Sequence, residues 1–275
     1  MRIAVTGATG FVGRHVLDEL ASMPATVVAT LRPGSASPDP SRPVQWVEMD
    51  LTDAPADAFE RLGRPDVLIH LAWGGLPNYR SLHHIDDELP RHYRFLSSLV
   101  RQGLGAIVAT GTCFEYGMQS GPLAATAPTR PGNPYGFAKD TLHRQLQWLK
   151  AVHPFSLTWA RLFYMYGEGQ PSTSLLPLLR QAVSEGQAVF RMSAGEQLRD
   201  YLPVSQVARD LVRYAVQPRD RGSVNVCSGS PISVRRLVEG WIAEHGWDIT
   251  LRLGELPYPD YEPLAFWGVR SEDAP

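Results

Sequence analysis

Residues 6–13 read TGATGFVG and follow directly on the apolar run RIAVT, near the start of the chain. Gly7, Gly10 and Gly13 therefore stand between a predicted strand and the predicted helix FVGRHVLDELASM. In a dinucleotide-binding unit one glycine permits the tight turn, one lets the backbone approach a pyrophosphate, and one lets the helix pack on the strand. The helix N-terminus then faces the anion. The spacing is GxxGxxG, and its strand–turn–helix setting predicts a dinucleotide site.

The segments after this turn extend the same pattern. Short apolar or β-branched runs without in/out alternation are separated by helix-length segments, as far as the strand SLTWARL at 156–162. Such strands are typical of a parallel sheet covered on both faces, so the predicted fold class is α/β, a Rossmann-like doubly wound sheet. We predict a nucleotide-binding domain over 1–166 with a return segment at about 203–228. A smaller α/β substrate lobe is predicted over 167–202 and 229–275, with AVFRM and LRDYLP as a strand pair.

The end of the second predicted strand bears on which dinucleotide is bound. A carboxylate there would accept hydrogen bonds from the adenosine ribose and select NAD. Here the strand runs VVATLRPGS, with no carboxylate and with Arg32 in that place. A guanidinium suits a 2′-phosphate, so we expect NADP, used as NADPH. Asp50, after the third strand, either contacts the adenine amino group or begins a helix. The predicted cofactor contacts in these segments are Gly7, Thr9, Gly10, Phe11, Val12, Gly13, Arg32, Asp50 and Leu51.

The bulk properties exclude several functions. The 275 residues carry a net charge of −2 with both signs mixed along the chain, so neither nucleic acid nor an anionic membrane is an expected partner. The two cysteines have no metal-binding or disulfide-framework spacing, which favours a reducing compartment. No apolar run approaches the roughly 20 residues that a spanning helix needs. We expect a cytoplasmic protein.

Tyr135 and Lys139 are four residues apart in a predicted helix, and Thr112 ends a predicted strand upstream. Side chains at i and i+4 share one helix face, so the tyrosine and lysine project together. An ammonium nearby favours the phenolate, which would bring the tyrosine pKa down from about 10 toward the working pH. The three residues thus predict an acid–base site, with Lys139 also placed to hold a nicotinamide ribose.

At this point the sequence resembles the extended short-chain dehydrogenase/reductase family, which comprises NAD(P)-dependent nucleotide-sugar epimerases, dehydratases and reductases. The matching segments span nearly the whole chain: TGATGFVG, Asp50-Leu51, HLAW, TGTCFEYG, NPYGFAK, RLFYMYGEGQ, LRDYLPV and VNVCSG. The resemblance implies that Thr112, Tyr135 and Lys139 are the catalytic residues. It also implies cofactor contacts at Leu71, Ala72, Trp73, Tyr135, Lys139 and Tyr164, and a nucleotide-diphosphate contact at Arg199.

The positions after Thr112 narrow the expected reaction. The family's sugar 4,6-dehydratases carry an Asp-Glu pair there, whereas this chain has Cys113 and Phe114. Neither can move a proton as that pair does, so the resemblance implies simple reduction. The expected substrate is a nucleotide-linked 4-keto-6-deoxyhexose, with dTDP the favoured nucleotide, as in enzymes that form dTDP-fucose. Two alternatives stay open: an NAD-dependent nucleotide-sugar epimerase, and a non-catalytic dinucleotide-sensing protein.

Other residues near these motifs have less defined roles. Cys113 is expected either to line the substrate pocket or to be a small buried group. Tyr116 is expected either to contact the sugar or to pack in the core. His83 and His84 precede three acidic residues, but neighbouring helical side chains point apart, so no metal site is expected. The family often pairs helices between subunits, which makes a homodimer the expected assembly.

Overall fold

The computed structural model describes residues 1–35 and 42–270. Part of the Pro/Ser-rich loop after Arg32 and the final residues SEDAP lie outside this range. The described strands are β1 Arg2–Thr6, β2 Thr26–Leu31, β3 Val44–Glu48, β4 Val67–His70, β5 Ala106–Thr112, β6 Gly121–Leu123, β7 Ser156–Leu162, β8 Tyr164–Tyr166, β9 Val189–Arg191, β10 Leu198–Pro203, β11 Gly222–Val226, β12 Pro231–Ser233, β13 Thr250–Arg252 and β14 Phe266–Gly268. The α-helices are α1 Phe11–Leu20, α2 Ala58–Arg61, α3 Leu89–Arg101, α4 Pro134–Val152, α5 Leu175–Ser184, α6 Val204–Val216 and α7 Val234–His245.

Seven parallel strands form the central sheet in the order β11-β7-β5-β4-β1-β2-β3. One apolar core lies between the sheet and helices α1 and α6. A second core lies between the opposite face and helices α2, α3 and α4. This arrangement confirms the predicted doubly wound, Rossmann-like fold. Strand order reverses between β1 and β4, and ligands of such sheets bind beyond the strand ends at that reversal.

A smaller third core packs α5 and α7 with the short strands of the second half of the chain. Here the predicted pairing of AVFRM with LRDYLP is wrong. Strand β9 pairs with β13, while β10 pairs with β8 and β12. Strands of three to six residues carry little register information of their own, so tertiary packing decides their partners.

Helix α3 is preceded by a turn of a different helical form. A single π-helical turn over His84–Glu88 leads into α3. This wide turn places Glu88 and His92 inside the protein, on the face of the sheet that α3 covers. Over residues 1–35 and 42–270, no helix is both long and apolar enough to cross a bilayer.

Candidate active site

In the glycine-rich turn after β1, each of the three glycines lies close to other main-chain atoms. Gly7 has φ +70°, and a Cβ on it would lie 2.7 Å from the Ala72 nitrogen. A Cβ on Gly13 would lie 2.2 Å from the Gly7 carbonyl oxygen. Gly10 is the N-cap of α1, with its amide donating to Gly7 O at 3.1 Å. Glycine at these three positions removes the Cβ atoms that would crowd the turn before α1, as the close approach of a pyrophosphate requires, so these residues fit a dinucleotide.

A cleft of about 940 Å³ opens beside this turn. It joins residues that the sequence predicted separately for cofactor, catalysis and substrate. Those that line it are Gly7, Gly10, Phe11, Val12, Gly13, Leu71, Trp73, Thr112, Cys113, Tyr135, Lys139 and Tyr164. The cleft lies at the carboxyl ends of β1, β4 and β5, the edge at which parallel sheets bind their ligands.

Five predicted cofactor residues lie outside the lining of this cleft, namely Thr9, Arg32, Asp50, Leu51 and Ala72. Leu51 is partly buried and packs against the second core. Thr9 is exposed in the glycine turn, and Ala72 packs its backbone against Gly7. Arg32 and Asp50 are exposed beyond the ends of β2 and β3. Hydrogen bonds from Thr52 lower the pKa of Asp50, and the Arg32 charge lowers it further.

The Asp50 side chain caps the short helix Leu51–Asp53 by accepting from the Thr52 amide at 2.9 Å. Of the two roles considered for Asp50, the structure shows the helix start. Arg32 and Asp50 still lie at the same sheet edge as the glycine turn, one strand and two strands away from it.

The three predicted catalytic residues meet in the cleft. Thr112 ends β5, and its side chain lies close enough to Tyr135 to lower the pKa of the phenol. Tyr135 lies in the first turn of α4, where the Asn133 side chain accepts from the Gly136 amide at 2.9 Å and caps the helix. Lys139 follows one turn later and is 2 % exposed. The helix begins here because the Asn133 cap is followed by Pro134, which suits the first helical position.

The electrostatics differ from the sequence expectation. Burial raises the pKa of Tyr135 well above 10, and the nearby Thr112 side chain offsets only part of this. The Lys139 ammonium donates to Thr110 O at 2.8 Å and lies 4.1 Å from the Trp73 ring centroid. Burial lowers the pKa of Lys139 itself to about 7. The expected lowering of the tyrosine pKa by the lysine is therefore not met, and the phenol is held protonated.

A buried carboxylate beneath Thr112 was missed as part of the site. Glu115 is 0 % exposed and accepts from the Thr112 amide at 2.9 Å. It also accepts from Arg161 Nε at 2.6 Å and from the Trp159 indole at 3.0 Å. The sequence signal was Thr-x-x-Glu, a capping box that the structure forms over Cys113–Tyr116. The network fixes the backbone of the residue that aligns Tyr135.

Two predicted substrate residues lie deeper than expected. Tyr116 is 0 % exposed, and its hydroxyl donates to Asn225 Oδ1 at 2.6 Å while accepting from Arg161 at 3.2 Å. Tyr116 packs in the core and does not line the cleft, because Asn225 and Arg161 hydrogen-bond its hydroxyl there. Cys113 lines the cleft although it is buried, and burial raises the pKa of its thiol well above the usual range.

Arg199 lies at the wall between the main cleft and a second cavity of about 580 Å³. Its guanidinium is paired with Glu262 at 2.9 Å and donates to the Leu198 and Leu264 carbonyls. The Tyr164 hydroxyl donates to the same carboxylate. Sequence reasoning missed Glu262, which lies far along the chain and has no motif around it. Tyr164 and Tyr201 line both cavities, so the two spaces are neighbours.

An aromatic wall faces Tyr135 across the substrate end of the cleft. The Tyr79 ring lies 4.8 Å from Phe114 and 5.6 Å from Tyr135, measured between centroids. Tyr261 reaches this group from near the end of the chain, 5.9 Å from both Tyr79 and Phe114. Among residues 1–35 and 42–270, no set of three or more His, Cys, Asp or Glu side chains is arranged to hold a metal ion.

The fold and the site define a dinucleotide-dependent enzyme of the extended short-chain dehydrogenase/reductase type. The chain belongs to the NAD dependent epimerase/dehydratase family, whose model matches residues 3–227. It is 32% identical to a dTDP-6-deoxy-L-talose 4-dehydrogenase (NAD(+)) of Aggregatibacter actinomycetemcomitans, over 98% of this chain and 100% of that protein.

Two further relatives extend this similarity. A dTDP-6-deoxy-L-talose 4-dehydrogenase (NAD(P)(+)) of Kitasatospora kifunensis is 27% identical, over 94% of this chain and 83% of its own. Among solved structures, MoeE5 in complex with UDP-glucuronic acid and NAD superposes with a TM-score of 0.83 and 26% identity. That match covers 99% of this chain and 91% of the other. The family that the sequence resembled is thereby confirmed.

Proposed function

We propose that this chain reduces the C4 ketone of a nucleotide-linked 4-keto-6-deoxyhexose to the alcohol with NADPH, with dTDP as the favoured nucleotide. The observation that carries the proposal is the placement of Tyr135 and Thr112 in one cleft, with Cys113 and Phe114 where a dehydratase carries carboxylates. Two relatives are named as 4-dehydrogenases of a dTDP-6-deoxyhexose, which is the same bond change read in the opposite direction.

The residues of this chain divide the work of the reduction. A bound nicotinamide supplies the hydride. Tyr135 donates its proton to the C4 oxygen as the alkoxide forms, and Thr112 holds the phenol and that oxygen in line. Lys139, one helical turn away, holds the cofactor ribose. The buried Glu115 carboxylate fixes the Thr112 backbone amide, and the Phe114 amide donates to the Thr112 hydroxyl oxygen, so Thr112 is positioned before substrate arrives.

The reduction needs one acid and no second acid–base pair. Elimination of water, or inversion at a neighbouring carbon, would need groups that exchange protons with the sugar ring near the ketone. Burial raises the pKa of Cys113 far above neutrality, and Phe114 has no proton to give. Glu262, the nearest carboxylate of the wall, is engaged by Arg199 and Tyr164. These contacts favour plain ketone reduction.

The choice of NADPH rests on Arg32. Its guanidinium is exposed at the end of β2, and no carboxylate follows it in the segment Arg32-Pro33-Gly34-Ser35. The Asp50 carboxylate nearby is the opposing feature, since it would repel a 2′-phosphate. Arg32→Asp, which supplies the carboxylate, is expected to reverse the preference and make NADH the better reductant by at least tenfold in kcat/KM. A wild-type enzyme that uses NADH tenfold better than NADPH would refute the cofactor assignment.

The substrate assignment is tested by direct turnover. Freshly made dTDP-4-keto-6-deoxyglucose is incubated with the protein and NADPH, and the product ring is examined by NMR. We expect loss of NADPH absorbance together with a new C4 proton whose couplings give the configuration. Absence of NADPH oxidation with dTDP, UDP, CDP and GDP forms of the 4-keto sugar would refute the proposal.

The family's epimerases provide the second candidate function, which the family's own description favours. An epimerase returns its hydride to the substrate and therefore retains NAD through turnover. Denaturing the purified protein and identifying the released nucleotide separates the two: stoichiometric NAD indicates an epimerase, and loss of nucleotide on dialysis indicates a reductase. A non-catalytic dinucleotide sensor would show neither turnover nor any effect of Tyr135→Phe on its function.

The second cavity is proposed to take the nucleotide portion of the substrate. It adjoins the aromatic wall and contains Arg199, although that guanidinium already pairs with Glu262. Its lining includes Tyr164 and residues of α5 and β9. Arg199→Lys, which keeps the charge but loses the fork of donors, is expected to raise KM for the nucleotide sugar more than it lowers kcat.

We also propose a homodimer built on helix α4. Phe137, Trp148 and Val152 are exposed and fall on one face of this helix, with Trp148 78% exposed. Pairing with the same face of a second copy would cover the stripe. Light scattering is expected to give twice the chain mass, and Trp148→Glu the single mass. A monomeric wild-type protein would refute this assembly.

A further inference from the structure

A chain of buried polar side chains runs behind the cleft without taking part in the proposed reaction. Thr6 Oγ1 lies 2.8 Å from His70 Nδ1, and His70 Nε2 lies 2.9 Å from His92 Nδ1. His92 Nε2 lies 3.1 Å from a Glu88 carboxylate oxygen, which also accepts from the Gly74 amide. The four side chains are each less than a tenth exposed.

The Glu88 carboxylate determines which group donates and which accepts in each of these hydrogen bonds. Burial opposes ionisation of Glu88, but the hydrogen bonds from His92 and Gly74 outweigh it and lower its pKa to about 2. An ionised Glu88 only accepts, so His92 Nε2 donates to it and His92 Nδ1 accepts from His70. Burial lowers the pKa of both histidines, which keeps them neutral. Each ring therefore has a single tautomer and a fixed plane.

The plane of His92 sets the position of Trp73. The two rings stack at 4.7 Å with an interplanar angle of 11°. The Trp73 indole donates to His84 Nδ1 at 3.1 Å, which fixes the ring in its own plane. The Lys139 ammonium lies 4.1 Å from the Trp73 centroid, and Trp73 lines the cleft. A cation over an indole face is attracted by the ring, more so where water is excluded.

We propose that Glu88 is a positioning residue for Lys139: through His92 it holds the Trp73 ring against the ammonium that faces the cofactor. The proposal rests on the role of Lys139 assigned under the proposed function. Gly74 strengthens the link, because its amide donates to Glu88 and its own chain neighbour is Trp73. The loop that follows β4 is thereby tied to helix α3 by the same carboxylate.

Glu88 acts on Lys139 through its negative charge, in addition to its contacts through His92 and Trp73. Burial disfavours the ammonium, while the carboxylates of Glu115 and Glu88 favour it. The two carboxylates belong to different segments: Glu115 lies in the turn after β5, and Glu88 lies in the π-helical turn. The other titratable groups around Lys139 and Glu88 are the neutral His70 and His92, His83, His84, Arg91 and the protonated Tyr135.

The test compares Glu88→Gln with Asp87→Asn. Glutamine keeps an oxygen that accepts from His92 and Gly74 but has no charge. Asp87 shares the other partners of Glu88, namely His83 and Arg91, without reaching His92. The dissociation constants of NADPH and NADH are measured by protein fluorescence at pH 6 and pH 8.5, so no substrate is needed.

We expect Glu88→Gln to weaken binding of the preferred cofactor at least fivefold at pH 8.5 and less than twofold at pH 6. At the lower pH Lys139 is protonated in both proteins. Asp87→Asn is expected to match the wild type at both values. An equal weakening at the two pH values, or none at either, would overturn the proposal, since a purely structural role has no reason to follow the lysine charge.

A double-mutant cycle tests whether the effect passes through the indole. In a Trp73→Leu background the platform for Lys139 is gone, so the geometric part of the Glu88 effect should disappear. The cycle uses Glu88→Ala at pH 6, because this change removes the oxygen that accepts from His92 and Gly74 while Lys139 is protonated. We expect it to weaken cofactor binding at least fivefold in the wild-type background and less than twofold in Trp73→Leu, and full additivity would overturn the route through Trp73. Because every readout is cofactor binding, a protein that binds cofactor but leaves 4-keto sugars unchanged would refute the proposed function alone.

Discussion

The two ends of the cleft are built in different ways. The cofactor end is made of backbone: Gly7 and Gly13 leave gaps in which a Cβ would lie less than 3 Å from neighbouring main-chain atoms. The substrate end is made of side chains brought from distant segments, such as Tyr79, Phe114 and Tyr261. NAD and NADP share the same pyrophosphate, so a backbone cradle suits either of them, whereas side chains can vary with the sugar.

The difference predicts where substitutions are tolerated. At the cofactor end the neighbouring atoms belong to the main chain and cannot move independently, so an added methyl group must shift the strand or the helix. Aromatic rings with centroids 5–6 Å apart can rotate and repack at modest cost. The catalytic residues lie between these ends, and the largest single effect is expected there.

Tyr135→Phe is expected to lower kcat by roughly 10²–10⁴, the usual contribution of a positioned proton donor. The aromatic ring is kept, so its contacts with Tyr79 and His84 remain. Initial rates of NADPH oxidation with the 4-keto sugar measure the effect, and the dissociation constant of the cofactor should change less than threefold. Turnover near that of the wild type would show that another group is the acid.

Gly13→Ala is expected to destabilise the protein by roughly 1–3 kcal/mol and to weaken cofactor binding. The new methyl group would lie 2.2 Å from Gly7 O, so α1 must move away from β1. Urea denaturation measures the free energy of unfolding. Gly240→Ala is the matched control: it lies in α7 with no neighbour within 4 Å of the added carbon.

In that control the helix propensity of alanine should stabilise the protein by about 0.5–1 kcal/mol. Equal destabilisation by the two substitutions would mean that the backbone cradle has no special rigidity, and the comparison between the two ends would fail.

The same contrast explains what the sequence could reveal. The glycine turn and the Tyr135/Lys139 spacing are local patterns, because a strand, a turn and one helix position all their atoms. Glu262 reaches the wall from a loop with no local signature, and only tertiary packing brings it to Arg199. For Tyr116 the sequence left a sugar contact and a core position both open, because it follows Thr112 by four residues. Asn225, which accepts a hydrogen bond from the Tyr116 hydroxyl in the core, lies in β11 at the edge of the sheet.

Electrostatics were harder still to predict than contacts. The i, i+4 spacing correctly placed Tyr135 and Lys139 on one helix face, but the sign of the tyrosine shift follows from burial, which spacing does not report. The pairing of β9 and β10 failed for a related reason. Their few residues match several partners, and the packing of α5 and α7 selects among them.

Lys139, where the two ends meet, should leave a signature in the pH dependence of stability. Burial lowers its pKa to about 7 in the folded protein, from the ordinary lysine value of 10.5. Between these values the unfolded chain binds a proton that the folded chain lacks, so stability rises as the pH increases. From pH 7 to pH 9 the rise attributable to this group is at most about 2 kcal/mol, taking about 1.4 kcal/mol per pH unit.

Urea denaturation of the wild type and of Lys139→Met at the two pH values isolates this contribution. The variant should lack the rise, because methionine fills a similar volume and does not titrate. Parallel pH profiles would show that the lysine is charged in the folded protein throughout this range, and that the cleft is wetter than its burial indicates.

The smallest effect is expected at the outer edge of the substrate end. Arg80 and Asp260 form an exposed ion pair that joins the loop after β4 to the loop bearing Tyr261. Exposed pairs contribute little and are screened by salt, so Arg80→Ala should raise KM for the sugar nucleotide by no more than about fivefold and leave kcat unchanged. The difference from wild type should shrink between 50 mM and 500 mM NaCl. A larger effect that ignores salt would mean that the side-chain end of the cleft is held as rigidly as the backbone end, because a screened contact cannot produce it.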